Sequence, residues 1–161
     1  MYIHVLRASV VKKNLIMENL KLAEILLIED NPGDGRLMQE ALKDGKVKNN
    51  LHIIDDGVEA TDFLFKRNKY SNAPRPDLII LDLNLPKMNG QEVLAEIKAD
   101  PGLKSIPVIV LTISKAEEDI IRSYNLHANC FLNKPINLNK FFEVVKSIED
   151  FWLTIVKLPG L

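Results

Sequence analysis

From Ala23 onward the chain alternates between short runs of uninterrupted apolar residues and longer stretches where apolar side chains recur every three or four positions. The runs are AEILLIED (23–30), LHIID (51–55), DLIILDL (77–83), IPVIVLT (106–112) and NCFLNK (129–134). They are rich in Ile, Val and Leu and lack polar alternation, the pattern of strands buried on both faces. Between them, RLMQEALKDG (36–45) carries Leu37, Met38, Ala41 and Leu42 at helical spacing and stops at Gly45. GVEATDFLFKR (57–67) is a second helix, and GQEVLAEIKAD (90–100) a third, with Val93, Leu94 and Ile97 on one face. Asp100-Pro101-Gly102 ends it. Ser114 with Glu117 makes a capping box for a fourth helix running to about Leu126. The last helix is predicted from near Asn139 past Trp152, with Phe141, Val145, Ile148, Trp152 and Ile155 on its face and Pro159-Gly160 after it. NPGDG (31–35) and RNKYSNAPRP (67–76) read as a turn and a loop.

Strands alternating with helices predict an α/β fold: a doubly wound, five-stranded parallel sheet, flavodoxin-like, strand order 2-1-3-4-5, with helices on both faces. At 161 residues the chain favours one domain, 23–161, with an extended C-terminal helix; residues 1–22 form an N-terminal extension. That extension opens with the mildly apolar MYIHVLRASVVKKNLI, broken by Arg7, Lys12 and Lys13 and without a signal-peptide cleavage pattern.

Composition narrows the function classes. Lys and Arg total 21 against 22 Asp and Glu, so there is no basic excess of the kind nucleic-acid surfaces show. No apolar run is long enough for a membrane span. Cys130 is the only cysteine, which excludes an internal disulfide and fits a cytoplasmic setting, and His4, His52 and His127 form no ligand pattern.

The chemistry gathers where the strands end. Strand one ends in Glu29-Asp30, strand three in Asp82, strand four in Thr112 and strand five in Lys134-Pro135. In the order 2-1-3-4-5, strands one and three are neighbours at the reversal point, where such sheets bind ligands. Three carboxylates placed together repel one another, which a hard divalent cation relieves. Hydroxyl, ammonium and metal around one carboxylate suit a phosphoryl group, and a carboxylate is a known covalent acceptor of phosphate. Asp82 is the predicted acceptor.

At this point the chain resembles the response-regulator receiver domains of two-component signalling. The motifs are LLIEDN, LDLNLPKMNG, VIVLT and FLNKP, over residues 23 to 150. The wider wording, SNAPRPDLIILDLNLPKMNGQEVLAEIK, SYNLHANCFLNKP and a late FW, is similar to the cyanobacterial phytochrome response regulators. The resemblance implies that Asp82 takes phosphate from a sensor histidine kinase, with a phytochrome as the candidate. It implies Mg²⁺ held by Asp30, Asp82, the backbone carbonyl of Asn84 and, through water, Glu29. Thr112 and Lys134 would contact the phosphoryl oxygens, Thr112 and Phe131 would form the switch, and the Lys134–Pro135 bond would be cis. Phe131 lacks the hydroxyl often found there, and Ile113 stands where the family has a small residue.

The plainer readings run alongside. Asp55-Asp56-Gly57 is a turn, Cys130 a small buried apolar residue, and Phe131 serves equally as core. The apolar SIEDFWLTIVKLPGL covers the core's own edge or forms a homodimer interface. About 27 residues follow Lys134, too few for a DNA-binding domain, so a stand-alone receiver that turns over only its own phosphate is expected, not an enzyme. The alternative is an aspartate-nucleophile phosphatase of haloacid-dehalogenase type. That class needs a second aspartate two residues after the first, and the position holds Asn84. A nucleotide-binding domain ranks lower, since PGDGRLM lacks the third glycine of a dinucleotide fingerprint.

Overall fold

The computed structural model describes residues 21–159 and Leu161. The predicted N-terminal extension therefore falls almost wholly outside the described residues, as do His4 and the start of the chain. The strands are β1 (Ala23–Ile28), β2 (Asn49–Ile54), β3 (Leu78–Leu81), β4 (Val108–Thr112) and β5 (Cys130–Asn133). The helices are α1 (Pro32–Lys43), α2 (Gly57–Leu64), α3 (Gly90–Ala99), α4 (Glu117–Asn125) and α5 (Leu138–Ile148). All strand pairs are parallel, in the order β2-β1-β3-β4-β5, as the pattern predicts.

Successive side chains on a strand point to opposite faces, and here both faces are apolar. Leu26, Ile28, Ile79, Leu81, Val108 and Val110 pack with Phe63 of α2 and Val93, Leu94 and Ile97 of α3. Ile25, Leu27, Leu78, Ile80, Ile109 and Leu111 pack with Met38 and Leu42 of α1 and Phe141, Val145 and Ile148 of α5. With both faces covered, polar groups collect at the strand ends, where the helices leave room.

Several expectations are corrected. NPGDG is not a free turn: α1 begins at Pro32, with the Asn31 side chain accepting from the N–H groups of Gly33 and Asp34. Proline suits a first helical position because its missing N–H has no partner there anyway. The helix expected over 57–67 ends at Leu64, because Lys66 and Asn68 take positive φ values of 55° and 51°. Ser114 and Glu117 form no capping box; α4 starts at Glu117 without a side-chain cap, and the Ser114 hydroxyl donates to Asp119 instead. Lys134–Pro135 is trans, the isomer that the small intrinsic preference before proline favours.

The C-terminal helix is not continuous. After α5 the chain widens into a π-helical segment, Glu149–Ile155. The wider turn drops the heptad-like face: Trp152 packs against the α1/α5 side of the core, while Ile155 is 71% exposed. Buried Glu149 is drawn inward to accept the N–H of Lys46 at 2.7 Å, across the glycine at position 45.

Candidate functional site

Each strand delivers its polar end to one edge of the sheet. The β1–β3 register pairs Ile28 with Leu81, so the next residues, Glu29 and Asp82, lie side by side. Their backbones are pinned: the Glu29 N–H donates to Ile54 O at 2.9 Å and the Asp82 N–H to Ile28 O at 3.0 Å. The loop after β3 folds back tightly beneath Asp82. The Gly90 N–H donates to Leu83 O at 2.9 Å, and a Cβ at Gly90 would lie 2.2 Å from the Asp82 carbonyl oxygen. Only glycine allows that approach.

The side chains then converge. Lys134 Nζ lies 2.7 Å from Asp82 Oδ2, 2.5 Å from Glu29 Oε2 and 3.0 Å from Asp34 Oδ2. The other Asp82 oxygen accepts the Asn84 N–H at 3.1 Å. Glu29, Asp82 and Lys134 are all buried, while Asp30 is exposed at the mouth. Burial pushes Glu29 up to about 7, with Lys134 and the Asn31 N–H drawing it back. For Lys134 burial alone would lower the pKa, but hydrogen bonds to Asp82 and Glu29 more than offset it and raise it. The buried lysine is thus held protonated by its carboxylates.

Thr112 is fully buried, and its hydroxyl oxygen lies 3.4 Å from both the Asn84 side-chain nitrogen and the Ser114 N–H. Lys134 is fastened beside it by its N–H to Thr112 O at 2.7 Å. Phe131 is half-buried against the α2/α3 side of the core. Ile113 is 66% exposed. All the predicted acidic, hydroxyl and amine residues therefore meet at one edge, and Asn84 joins them through Asp82 and Thr112. Asp34 was missed. The signal was Asn31-Pro32, which starts a helix and so turns Asp34 inward in its first turn rather than leaving it on a turn.

The donor set fits a hard divalent cation. Glu29, Asp30 and Asp82 each offer a carboxylate oxygen, and these atoms lie within 4.8 Å of one another. Three carboxylates, Glu29, Asp82 and Asp34, share one ammonium, and Asp30 lies close to two of them, so an added cation lowers their mutual repulsion. A second group, Asp55, Asp56 and Glu59, has equally close oxygens on the outer rim beyond β2. Two of its members are already engaged: Asp56 caps α2 through the Glu59 N–H and binds Lys87 Nζ at 2.7 Å, and Glu59 binds Lys69 and the Tyr70 hydroxyl.

An acidic cup with a buried lysine and threonine, at the carboxyl edge of a 2-1-3-4-5 sheet, defines a receiver. The response regulator receiver domain model matches residues 25–146, and the chain belongs to that family rather than to the phosphatases. Its relatives place it more narrowly. It is 55% identical to the response regulator Rcp1 of Synechocystis sp. over 136 residues, 84% of this chain and 92% of that one. It is 35% identical to the probable methanogenesis regulatory protein FilR2 of Methanothrix harundinacea, over 84% of this chain and 87% of the relative. Among solved structures it resembles the phosphorylated cyanobacterial phytochrome response regulator RcpA, with a TM-score of 0.85 and 52% identity over 87% of this chain and all of that one. The Mn²⁺-bound form of Rcp1 gives a TM-score of 0.83 and 54% identity over 86% of this chain and 99% of that one. The chain is a response regulator homologous to the phytochrome response regulators. Among the described residues no helix is long and apolar enough to cross a membrane.

Proposed function

We propose that Asp82 accepts a phosphoryl group from the phosphohistidine of a sensor kinase. The observation that carries this is the Asp82–Lys134 pair, buried at the centre of the acidic cup. An Asp82 carboxylate oxygen attacks phosphorus, the P–N bond breaks with its electron pair staying on the ring nitrogen, and the imidazole leaves neutral, keeping the proton carried by its other nitrogen. The Lys134 ammonium is placed to follow the charge onto the transferred group, and the Thr112 hydroxyl is within reach of the same space once its weak 3.4 Å contacts release. Glu29, Asp30 and Asp82, with the Asn84 carbonyl, are the residues that would hold Mg²⁺, which supplies neutralisation of the phosphoryl oxygens. Thr112 and Phe131 form the switch: recruitment of the hydroxyl draws the β4–α4 loop inward, and Phe131, without a hydroxyl, responds through packing alone.

The module catalyses only its own phosphorylation and hydrolysis. The Rcp1 and RcpA relationships support a phytochrome as the kinase. Phe151, Ile155 and Leu161, 49%, 71% and 50% exposed, are large apolar residues that the C-terminal segment leaves uncovered, and they support a homodimer. Labelling with a phosphorylated histidine kinase tests the assignment. A stoichiometric, Mg²⁺-dependent, acid-stable and alkali-labile label is expected; steady turnover of a generic phosphate ester would point to the phosphatase chemistry instead. Light scattering tests the dimer, a concentration-independent monomer mass in both free and phosphorylated forms counting against it.

A further inference from the structure

Lys134 has three N–H donors, and three carboxylates surround its nitrogen: Glu29, Asp82 and Asp34, at 2.5, 2.7 and 3.0 Å. Two of these belong to the group of oxygens that could hold a metal ion; Asp34 does not. When a divalent ion takes oxygens of Glu29 and Asp82, Lys134 loses part of its hold on both. The ammonium and the dication then stand close together in a poorly solvated cup, where their repulsion is weakly screened. Asp34 is the carboxylate that stays with the lysine.

Its position is built into the fold. Asp34 sits in the first turn of α1, whose start is fixed by the Asn31 cap and by Pro32. The first turn of a helix favours a negative side chain, and the Asp34 N–H is itself held by Asn31 Oδ1 at 3.2 Å. At 29% side-chain exposure Asp34 keeps more contact with water than Glu29 or Asp82, at 3% and 5%, so an ion pair there costs less desolvation. It is therefore suited to retain a cation through a cycle in which the inner carboxylates change partners.

We propose that Asp34 is a positioning residue: it receives the Lys134 ammonium when a divalent ion enters the cup, and so lets metal and lysine occupy the site together. This rests on the receiver reading of the cup. Loss of Asp34 leaves the lysine only the inner carboxylates, for which it competes with the ion.

The test is calorimetric titration of Mn²⁺ into chelator-treated full-length chain, as wild type, Asp34→Asn, Lys134→Met and the double variant. Asp34→Asn is expected to weaken Mn²⁺ binding roughly tenfold, the scale of one charge-assisted hydrogen bond. In the Lys134→Met background the same change is expected to have little effect. Asp34→Glu should recover most of the affinity. In kinase labelling, Asp34→Asn should raise the Mn²⁺ concentration for half-maximal rate. Equal affinity of wild type and Asp34→Asn overturns the proposal, as does the same weakening in both lysine backgrounds, which would mark Asp34 as a distant charge only. A wild-type chain that binds no Mn²⁺ overturns the receiver reading of the cup and the proposal with it.

Discussion

Two groups of three carboxylates stand at the carboxyl edge of one sheet, Glu29/Asp30/Asp82 and Asp55/Asp56/Glu59, each with oxygens within 4.8 Å. They differ in surroundings rather than in residue type. Asp82 and Glu29 are buried and share a buried lysine, whose side chain is 6% exposed. Asp56 and Glu59 pair with Lys87 and Lys69, whose side chains are 63% and 65% exposed. Their pKa directions diverge accordingly. Burial drives Glu29 up to about 7. Burial also pushes Asp56 up, but the backbone N–H of Glu59 and the Lys87 ammonium outweigh it and hold it below the ordinary value. A charge cluster becomes reactive when its members lack water and depend on one another. In the outer group Asp56 and Glu59 have settled their charges locally, through a helix cap and ion pairs with exposed lysines.

The sharpest way to break this contrast is to remove each lysine. Lys134→Met leaves two buried carboxylates without their cation and is expected to cost about 3–5 kcal/mol at pH 8 in the absence of divalent ions. The loss should shrink near pH 5, where Glu29 accepts a proton. Lys87→Met should leave the denaturation midpoint almost unmoved. Similar losses from the two variants would erase the distinction.

Next come the two glycines that seat the clusters. A Cβ at Gly90 would lie 2.2 Å from the Asp82 carbonyl oxygen, and one at Gly57, beside the outer group, 1.9 Å from the Met88 carbonyl oxygen. Both Ala variants should lose about 3 kcal/mol, measured by urea unfolding. Only Gly90→Ala moves the Asp82 backbone, so it should lower Mn²⁺ affinity more than Gly57→Ala. The reverse order would put the metal at the outer group.

The pH dependences separate the clusters in sign. The folded chain holds the Glu29 proton more tightly than the unfolded chain does. Without divalent ions, the contribution of Glu29 to stability is therefore fully present below its ordinary value of 4.5 and is lost as pH rises through about 7. Asp56 acts oppositely: its contribution is present above its ordinary value of 3.8 and is lost only as pH falls through its lowered pKa. Metal entry expels the Glu29 proton, so Mn²⁺ affinity should fall by up to about tenfold per pH unit below pH 7. Flat affinity between pH 6 and 8 would remove Glu29 from the metal's surroundings. The smallest effect is expected at the mouth. Ile113→Ala should leave stability unchanged, since the side chain is 66% exposed, and should modestly accelerate both labelling by small phosphodonors and hydrolysis. Unchanged rates would show that Ile113 does not restrict access.

Much of this arrangement is legible in the chain. Ile25 to Ile28 and Leu78 to Leu81 announce buried strands because no polar residue interrupts them, and parallel strands place their ends at one edge. Glu29, Asp30, Asp82, Thr112 and Lys134 follow from that alone. Asp34 was hidden because Asn-Pro-Gly-Asp-Gly serves a turn and a helix start equally well, and only the cap geometry decides. The π-helical turn at Glu149–Ile155 was hidden for a different reason. Seven residues do not separate its period from an α-helix, and the Glu149 contact with Lys46 spans 103 residues. Gly57 reads as a turn residue and Gly90 as a helix start, whereas the backbone of the β3–α3 loop, pressed against both, is what requires them.

The most direct measurement is the location of the phosphate. Borohydride reduction of the kinase-labelled chain converts an aspartyl phosphate to homoserine, which peptide mass spectrometry places by residue. Homoserine is expected at position 82 alone. Homoserine at position 30, 55 or 56, or a label on the chain with position 82 unmodified, would contradict it.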